Sequence, residues 1–328
     1  MTPTAPWHVP MICAMDRASH TDRRLPPPAA PSRTSQAVAA VRAGLPRPHT
    51  PGGDPDAQAR LCAGMLPSPG TGPPEGPRDR LPDELRDRLA ARTRFFDGQV
   101  LAALGRGVRQ VVILGAGYDD RALRFRSPGV RFFELDHPAT QADKSGRLRR
   151  LHADLAGLTL APADFRRDDV TAVLAASGHD AGQPSLFVCE GLLVYLDQET
   201  TARLLAGLRS RSGPAPASPT DAASPAGQSR QACLAGHPSM LAVSLSIHPD
   251  GIDSATAVAR ANAGRPAADA EPWLTILPAA GQLSLLARAG WPAAEVRDDA
   301  APGAGPVARR SLLVTARPGP GAPAARTG

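Results

Sequence analysis

Two glycines and a spaced carboxylate set the chemistry to look for in this chain. Val111-Val112-Ile113-Leu114 runs directly into Gly115-Ala116-Gly117, and Asp119 and Asp120 follow. Four apolar residues ending in a Gly-x-Gly turn read as a buried parallel strand whose loop lets a ligand approach the backbone. A second apolar run, Val130–Leu135, delivers Glu134 and then Asp136, the latter 21 residues after Gly115. At about that distance a nucleotide-binding α/β fold offers a carboxylate to ribose hydroxyls. The spacing predicts a ligand that contains adenosine.

The third glycine position of a dinucleotide fingerprint is filled by Asp120. That glycine normally lets a helix pack closely while its N-terminus holds a pyrophosphate. Two carboxylates there would repel a pyrophosphate and leave a phosphate-free, cationic cofactor undisturbed. S-adenosyl-L-methionine has that character, so a methyltransferase is the first reading. An NAD(P)-dependent oxidoreductase is the alternative, and a cofactor-binding protein without turnover is a third.

The elements that must position these residues follow from periodicity and turn signals. Ser35–Arg42 reads as a short helix with Thr34 or Ser35 as N-cap, and Ala57–Met65 as a further helical piece. Pro82 stands where a long amphipathic helix, Asp83–Leu104, begins, with apolar residues at three- and four-residue steps. Strands are expected at Gln110–Leu114, Arg131–Leu135, Thr159–Ala161, Ser185–Glu190, Met240–Ile247 and Arg310–Ala316. Helices fall between them at Thr140–His152, Gln198–Arg209 with Asp197 as cap, and Ala279–Ala289 ending at Gly290. Such alternation predicts an α/β fold, a doubly wound parallel sheet with helices on both faces.

Composition bounds the rest. The chain has 328 residues, 42% of them hydrophobic, with 36 prolines and 31 glycines gathered in clusters. Those clusters bury too little to offset the entropy of ordering. Residues 1–32 and 318–328 are therefore expected to be disordered around one domain at 33–317, with a low-complexity insert, Arg211–Pro238, on its surface. Lys144 is the only lysine among 37 basic residues, which looks like drift toward arginine rather than a nucleic-acid groove, and no basic run alternates with aromatics. No nucleic-acid partner is expected. Cys13, Cys62, Cys189 and Cys233 lack the spacing of a zinc site or a disulfide framework, so no metal is expected. The first 24 residues interrupt any apolar signal with prolines and charges, and no run approaches a membrane span. A cytoplasmic protein without membrane contact is expected.

A series of motifs in order carries a family resemblance. Thr34-Ser35-Gln36-Ala37-Val38-Ala39-Ala40-Val41-Arg42-Ala43, Gly53-Asp54-Pro55 and Arg92-Thr93-Arg94-Phe95-Phe96-Asp97 come first. Leu114-Gly115-Ala116-Gly117-Tyr118-Asp119 and Phe133-Glu134-Leu135-Asp136-His137-Pro138 follow. Ala163-Asp164-Phe165-Arg166 and Glu190-Gly191-Leu192-Leu193-Val194-Tyr195-Leu196 complete it. Over roughly residues 33–317 the chain resembles the leucine carboxyl methyltransferase superfamily, particularly its bacterial branch of S-adenosylmethionine-dependent methyltransferases. It departs from the pattern in the Arg211–Pro238 insert and in His248-Pro249, where relatives often carry an aromatic or acidic residue.

The resemblance implies a class I methyltransferase, a seven-stranded Rossmann-like sheet with an N-terminal helical cap. It implies that Gly115 and Gly117 admit the methionine part of S-adenosyl-L-methionine and that Asp136 accepts from both ribose hydroxyls. Asp164 would accept from the adenine amino group, with the Phe165 backbone at the ring nitrogen. Arg92 would reach the cofactor carboxylate, and Glu190 its amino-acid end or ribose side. Tyr195 would line the methyl-transfer site, while Arg121 is expected in a structural pair with Asp119 or Asp120. The acceptor would be a small molecule or a peptide terminus methylated on oxygen, a carboxylate ahead of a hydroxyl.

Overall fold

The computed structural model describes residues 30–63, 65, 83–213, 238–263, 271–299 and 310–319. Among them seven strands form one sheet: β1 Gln110–Leu114, β2 Arg131–Asp136, β3 Leu158–Pro162, β4 Ser185–Cys189, β5 Met240–Ile247, β6 Ala293–Asp298 and β7 Arg310–Ala316. Their order is β3-β2-β1-β4-β5-β7-β6. The pairs among β1 to β5 are parallel, and β7 runs antiparallel to both β5 and β6. After β3 the chain crosses back to the far side of β1, so the order reverses between β1 and β4. A crevice outside the carboxyl ends of strands at such a reversal is where open α/β sheets bind ligands.

Strand alternation divides the core. Val112, Leu114, Phe133, Leu135, Phe187 and Cys189 share one cluster with Leu205 and Trp291. Val111, Ile113, Phe132, Leu186 and Val188 share the other with Phe96, Val100 and Phe125. All five residues of β1 are buried, as a strand covered on both faces requires. Helix α3, Asp83–Gly105, lays Phe96 and Val100 on the second cluster, both fully buried. Full burial of such side chains contributes about 1.5–3 kcal/mol each. Pro82, expected to open this helix, lies just outside the described residues.

The remaining helices are α1 Arg33–Ala43, α2 Ala57–Cys62, α4 Arg121–Arg124, α5 Pro138–Arg150, α6 Val170–Ala176, α7 Gln198–Ser210, α8 Ser254–Asn262 and α9 Ala279–Arg288. Asp197 caps α7 by accepting from Thr200 N, and Gly290 follows α9 at φ +85°, both as the sequence predicts. The cap of α1 is Ser32 rather than Thr34 or Ser35. Its Oγ accepts from Ser35 N at 3.1 Å, so Ser35 occupies the third helical position. Helix α5 begins at Pro138, whose missing N–H costs nothing in a first turn, and His137 Nδ1 accepts from Ala139 N.

Four elements escape the periodicity reading, among them the four-residue helix α4. Strand β6 is exposed at all six positions and carries no apolar alternation; its pairing with β7 makes it a strand. Helices α6 and α8 are short and poor in large apolar residues, yet Asp169 and Asp253 cap them by accepting from Thr171 N and Thr256 N. The expected disordered segments fall outside the described residues from 1 to 29, 214 to 237 and 320 to 328, as do Cys13 and Cys233. Among the described residues no helix is long and apolar enough to cross a membrane.

Candidate functional site

The loop after β1 is shaped by two residues in the left-handed region, Gly115 at φ +65° and Gly117 at φ +50°. A side chain would also collide at Gly117 and be crowded at Gly115. A Cβ on Gly117 would meet Ser35 Cβ at 2.6 Å, and one on Gly115 would meet Leu192 Cβ at 3.1 Å. Glycine is required here on both counts. Asp119 N donates to Ala116 O at 2.8 Å and closes the turn.

Asp136 stands opposite, at the end of β2. Its Oδ2 accepts from Gly117 N at 2.5 Å and its Oδ1 from His137 N at 2.6 Å. The side chain keeps some exposed surface at the sheet edge, yet the protein around it pushes its pKa up to about 6, against the pull of those two N–H groups. A carboxylate offers about four lone-pair positions. Each Asp136 oxygen therefore retains an acceptor position.

Glu190, which follows β4, sits in a buried ionic cluster. Its Oε1 accepts from Arg42 Nη2 at 2.6 Å and Arg92 Nε at 2.9 Å, and its Oε2 from Arg121 Nη1 at 2.8 Å. Burial alone would raise its pKa, but Arg42, Arg121 and Arg92 outweigh it and hold the carboxyl well below the usual range. Arg121, completely buried, also bonds Asp119 and Asp97 at 2.6 and 2.7 Å. Arg47 joins Asp97 to Asp120, and Arg124 completes the charge on Asp120.

This cluster corrects one argument made from the sequence. Asp119 and Asp120 are each neutralised by two arginines, Arg42 with Arg121 and Arg47 with Arg124, so they present no bare negative charge to a pyrophosphate. What the site lacks for a dinucleotide is a helix: α4 has only four residues, too few to sum a useful dipole at its start.

Asp164 and Phe165 lie just past β3, on the same sheet edge as Asp136. Ala163 N donates to Asp136 O at 2.8 Å and ties the two strand ends together. Asp164 Oδ1 accepts from Arg166 N at 3.1 Å in a local turn. Phe165 is buried in the core, and its backbone N–H has no partner among the described residues. Arg92 spends only its Nε on Glu190; its Nη1 and Nη2 lie about 4 Å from where a Cβ on Gly191 would sit.

Tyr195 ends a single helical turn, Leu193–Tyr195. Half-buried, it packs on an apolar group of Val194, Ala257, Ala261 and Ile276, with Trp273 beside it. His248 is occupied: its Nδ1 lies 2.9 Å from Pro249 O and its Nε2 3.1 Å from Ser254 Oγ. The first contact requires the proton on Nδ1, leaving Nε2 to accept from the serine.

Arg42, Arg47, Asp97 and Lys144 were not singled out as site residues by sequence reasoning. Arg42 and Asp97 fall inside the quoted motifs, but their partners lie far along the chain and nothing local separates them from solvated charges. Lys144 did carry a signal, as the only lysine. Among the described residues no group of histidines, cysteines and carboxylates can hold a metal.

A family model described as leucine carboxyl methyltransferase matches residues 13–209. A Streptomyces coelicolor protein named "putative S-adenosyl-L-methionine-dependent methyltransferase" is 43% identical over 173 residues, which is 49% of this chain and 58% of that protein. A Streptomyces avermitilis protein of the same description is 39% identical over 161 residues, 48% of this chain and 57% of that one. The chain thus spans somewhat more than half the length of these relatives. Among solved structures, magnesium protoporphyrin IX methyltransferase from Synechocystis PCC 6803 with bound SAH is similar at a TM-score of 0.42. It is 13% identical, over 73% of this chain and 89% of that one.

Proposed function

The chain belongs to the leucine carboxyl methyltransferase family, and from that premise we propose that it transfers a methyl group from S-adenosyl-L-methionine to an oxygen of a small molecule or peptide terminus. The observation that carries this reading is Asp136, a half-buried carboxylate bonded by one backbone N–H at each oxygen, with a lone pair left over on each. A vicinal diol matches two such acceptors. The two glycines beside it allow close approach, and the Phe165 N–H, which has no partner among the described residues, suits a ring nitrogen.

The bound cofactor would supply an electrophilic methyl group on a sulfonium. The protein's own task is to bind, orient and exclude water. Arg92 presents Nη1 and Nη2 to a carboxylate while Glu190 fixes its Nε, so the guanidinium plane is set in advance. Glu190 Oε2, with one arginine contact, keeps an acceptor position for an ammonium group. Asp136 holds the ribose, Asp164 accepts from the adenine amino group, and Gly115 and Gly117 admit the methionine chain. A carboxylate acceptor is ionised at neutral pH and needs no base. Tyr195 then lines the transfer site by position alone. His248, with both ring nitrogens engaged, is poorly placed to act as a base.

Titration of the protein with S-adenosylhomocysteine and, separately, with NAD(H) and NADP(H) tests the reading. Saturable binding of the first alone is expected. Saturation by a nicotinamide cofactor with no response to S-adenosylhomocysteine would overturn it. A protein that binds S-adenosylhomocysteine but methylates nothing in a broad carboxylate and hydroxyl acceptor screen would instead be a binding protein without turnover.

A further inference from the structure

Lys144 stands alone in this chain: of 37 basic residues, it is the one that is not arginine. Wherever a cation is merely solvated, arginine has served. Lys144 is not solvated. Its side chain is 1% exposed, on α5 behind the glycine loop. The ammonium donates to Glu134 Oε2 and, at 2.6 Å, to the backbone carbonyl of Asp119. Glu134 is fully buried on β2, two residues before Asp136, and Asp119 ends the turn that contains Gly117. One compact cation therefore bonds both elements of the candidate cofactor site, the glycine loop and the strand that presents the carboxylate. A planar guanidinium carries its donors in a rigid fork on a wider head group and cannot converge on those two oxygens as a point charge does.

We propose that Lys144 is a positioning residue for the cofactor site, fixing the separation between the Gly115–Gly117 loop and Asp136 through Asp119 O and Glu134. The proposal rests on the methyltransferase reading for the identity of the ligand, but its structural content does not. Neighbouring bonds are consistent with a clamp at this point. Gln141, one turn before Lys144 on α5, donates to Glu134 O at 2.7 Å and so holds the same strand from the same helix. The Gly117 N–H reaches Asp136 only while the loop stays against β2.

A buried ion pair always matters for stability, so the test must separate that role from positioning. Lys144→Met leaves the Glu134 carboxyl buried without its hydrogen-bonded cation and is expected to destabilise the fold. Lys144→Met with Glu134→Leu removes both members of the pair and is expected to recover most of the melting temperature. In that double variant, S-adenosylhomocysteine affinity should remain at least tenfold weakened. Hydrogen exchange of the ligand-free protein should show the Gly117 and Asp119 amides losing protection while β1 keeps its own. Lys144→Arg should resemble the double variant in affinity, not the wild type. Should Lys144→Met fail to fold, the double variant carries the comparison. A double variant with wild-type affinity and wild-type loop protection would reduce the pair to a structural one and overturn the proposal. If wild-type protein ignores S-adenosylhomocysteine while the loop amides still lose protection in the double variant, the methyltransferase reading fails and the clamp stands. Unchanged exchange sinks the clamp whatever the ligand.

Discussion

Asp136 is an anion bonded by two backbone N–H groups and, among the described residues, by no cation. Burial, helped by Glu271, pushes its pKa up to about 6 against the pull of the Gly117 and His137 N–H groups and of Lys144. The protonated form cannot accept at both oxygens, so cofactor affinity should be level above pH 7 and fall below pH 6, toward about tenfold per unit. Calorimetry from pH 5 to 8 checks this, and a flat profile would remove Asp136 from the ribose. The same raised pKa runs the other way for the ligand-free fold. Stability from this group is fully present below its ordinary pKa of 3.8 and is lost as pH rises through about 6. Asp136→Ala should weaken S-adenosylmethionine binding roughly tenfold or more in a folded protein, the loss of charge-assisted hydrogen bonds. Tyr195→Phe should lower turnover only modestly on a carboxylate acceptor; a loss of about 10²–10⁴ would mark a hydroxyl acceptor that Tyr195 deprotonates or orients. Gly115, Gly117 and Asp136 were legible as a loop and a strand end because their signals are local: a glycine spacing, and a carboxylate at the end of an apolar run. Arg42 was not, because its partners Asp119 and Glu190 lie 77 and 148 residues away and its own neighbours are those of any surface helix.

Helix α4 shows how an element can be held by charge where propensity is too small to hold it. Four residues do not make a stable helix alone. Arg121 and Arg124 anchor it to Asp97, Asp119, Asp120 and Glu190, and so to α3, the glycine loop and the end of β4. Removing Arg121 leaves three buried carboxylates short of a partner, whereas Glu190 without Arg42 still keeps two arginines. Arg121→Met should therefore destabilise the protein by about 3–5 kcal/mol and Arg42→Met by clearly less. Denaturant unfolding of both variants decides the order, and equal losses would show that the cluster does not centre on Arg121. The strands β1, β5 and β7 have the limits that hydrophobic runs predict, because burial on both faces imposes such runs. Strand β6 was illegible for the opposite reason: an exposed edge selects for nothing a pattern can detect.

At the scale of the molecule, the described residues assemble into one sheet with a candidate site on its carboxyl edge. The segment between α7 and β5 interrupts that plan, and its ends have structural roles. Arg211 bonds His179 through Nε at 3.2 Å and Ser239 Oγ joins Ser212 O to Ser185 N, so the chain on either side is stitched to the end of α6 and the start of β4. An excision from Arg211 to Pro238 would cut the bonds made by Arg211 and Ser212. Replacing residues 214–237 with a short Gly/Ser joint should leave the melting temperature and cofactor affinity close to wild type, and a large drop in either would show that the removed segment packs on the domain. The lone buried lysine has a practical corollary. Acylating reagents, and any enzyme that modifies ε-amines, find no such group on the surface of the native fold, because the only one in the sequence is 1% exposed. Acylation at Lys144, read by mass, would thus be a one-site clock for how often this molecule opens.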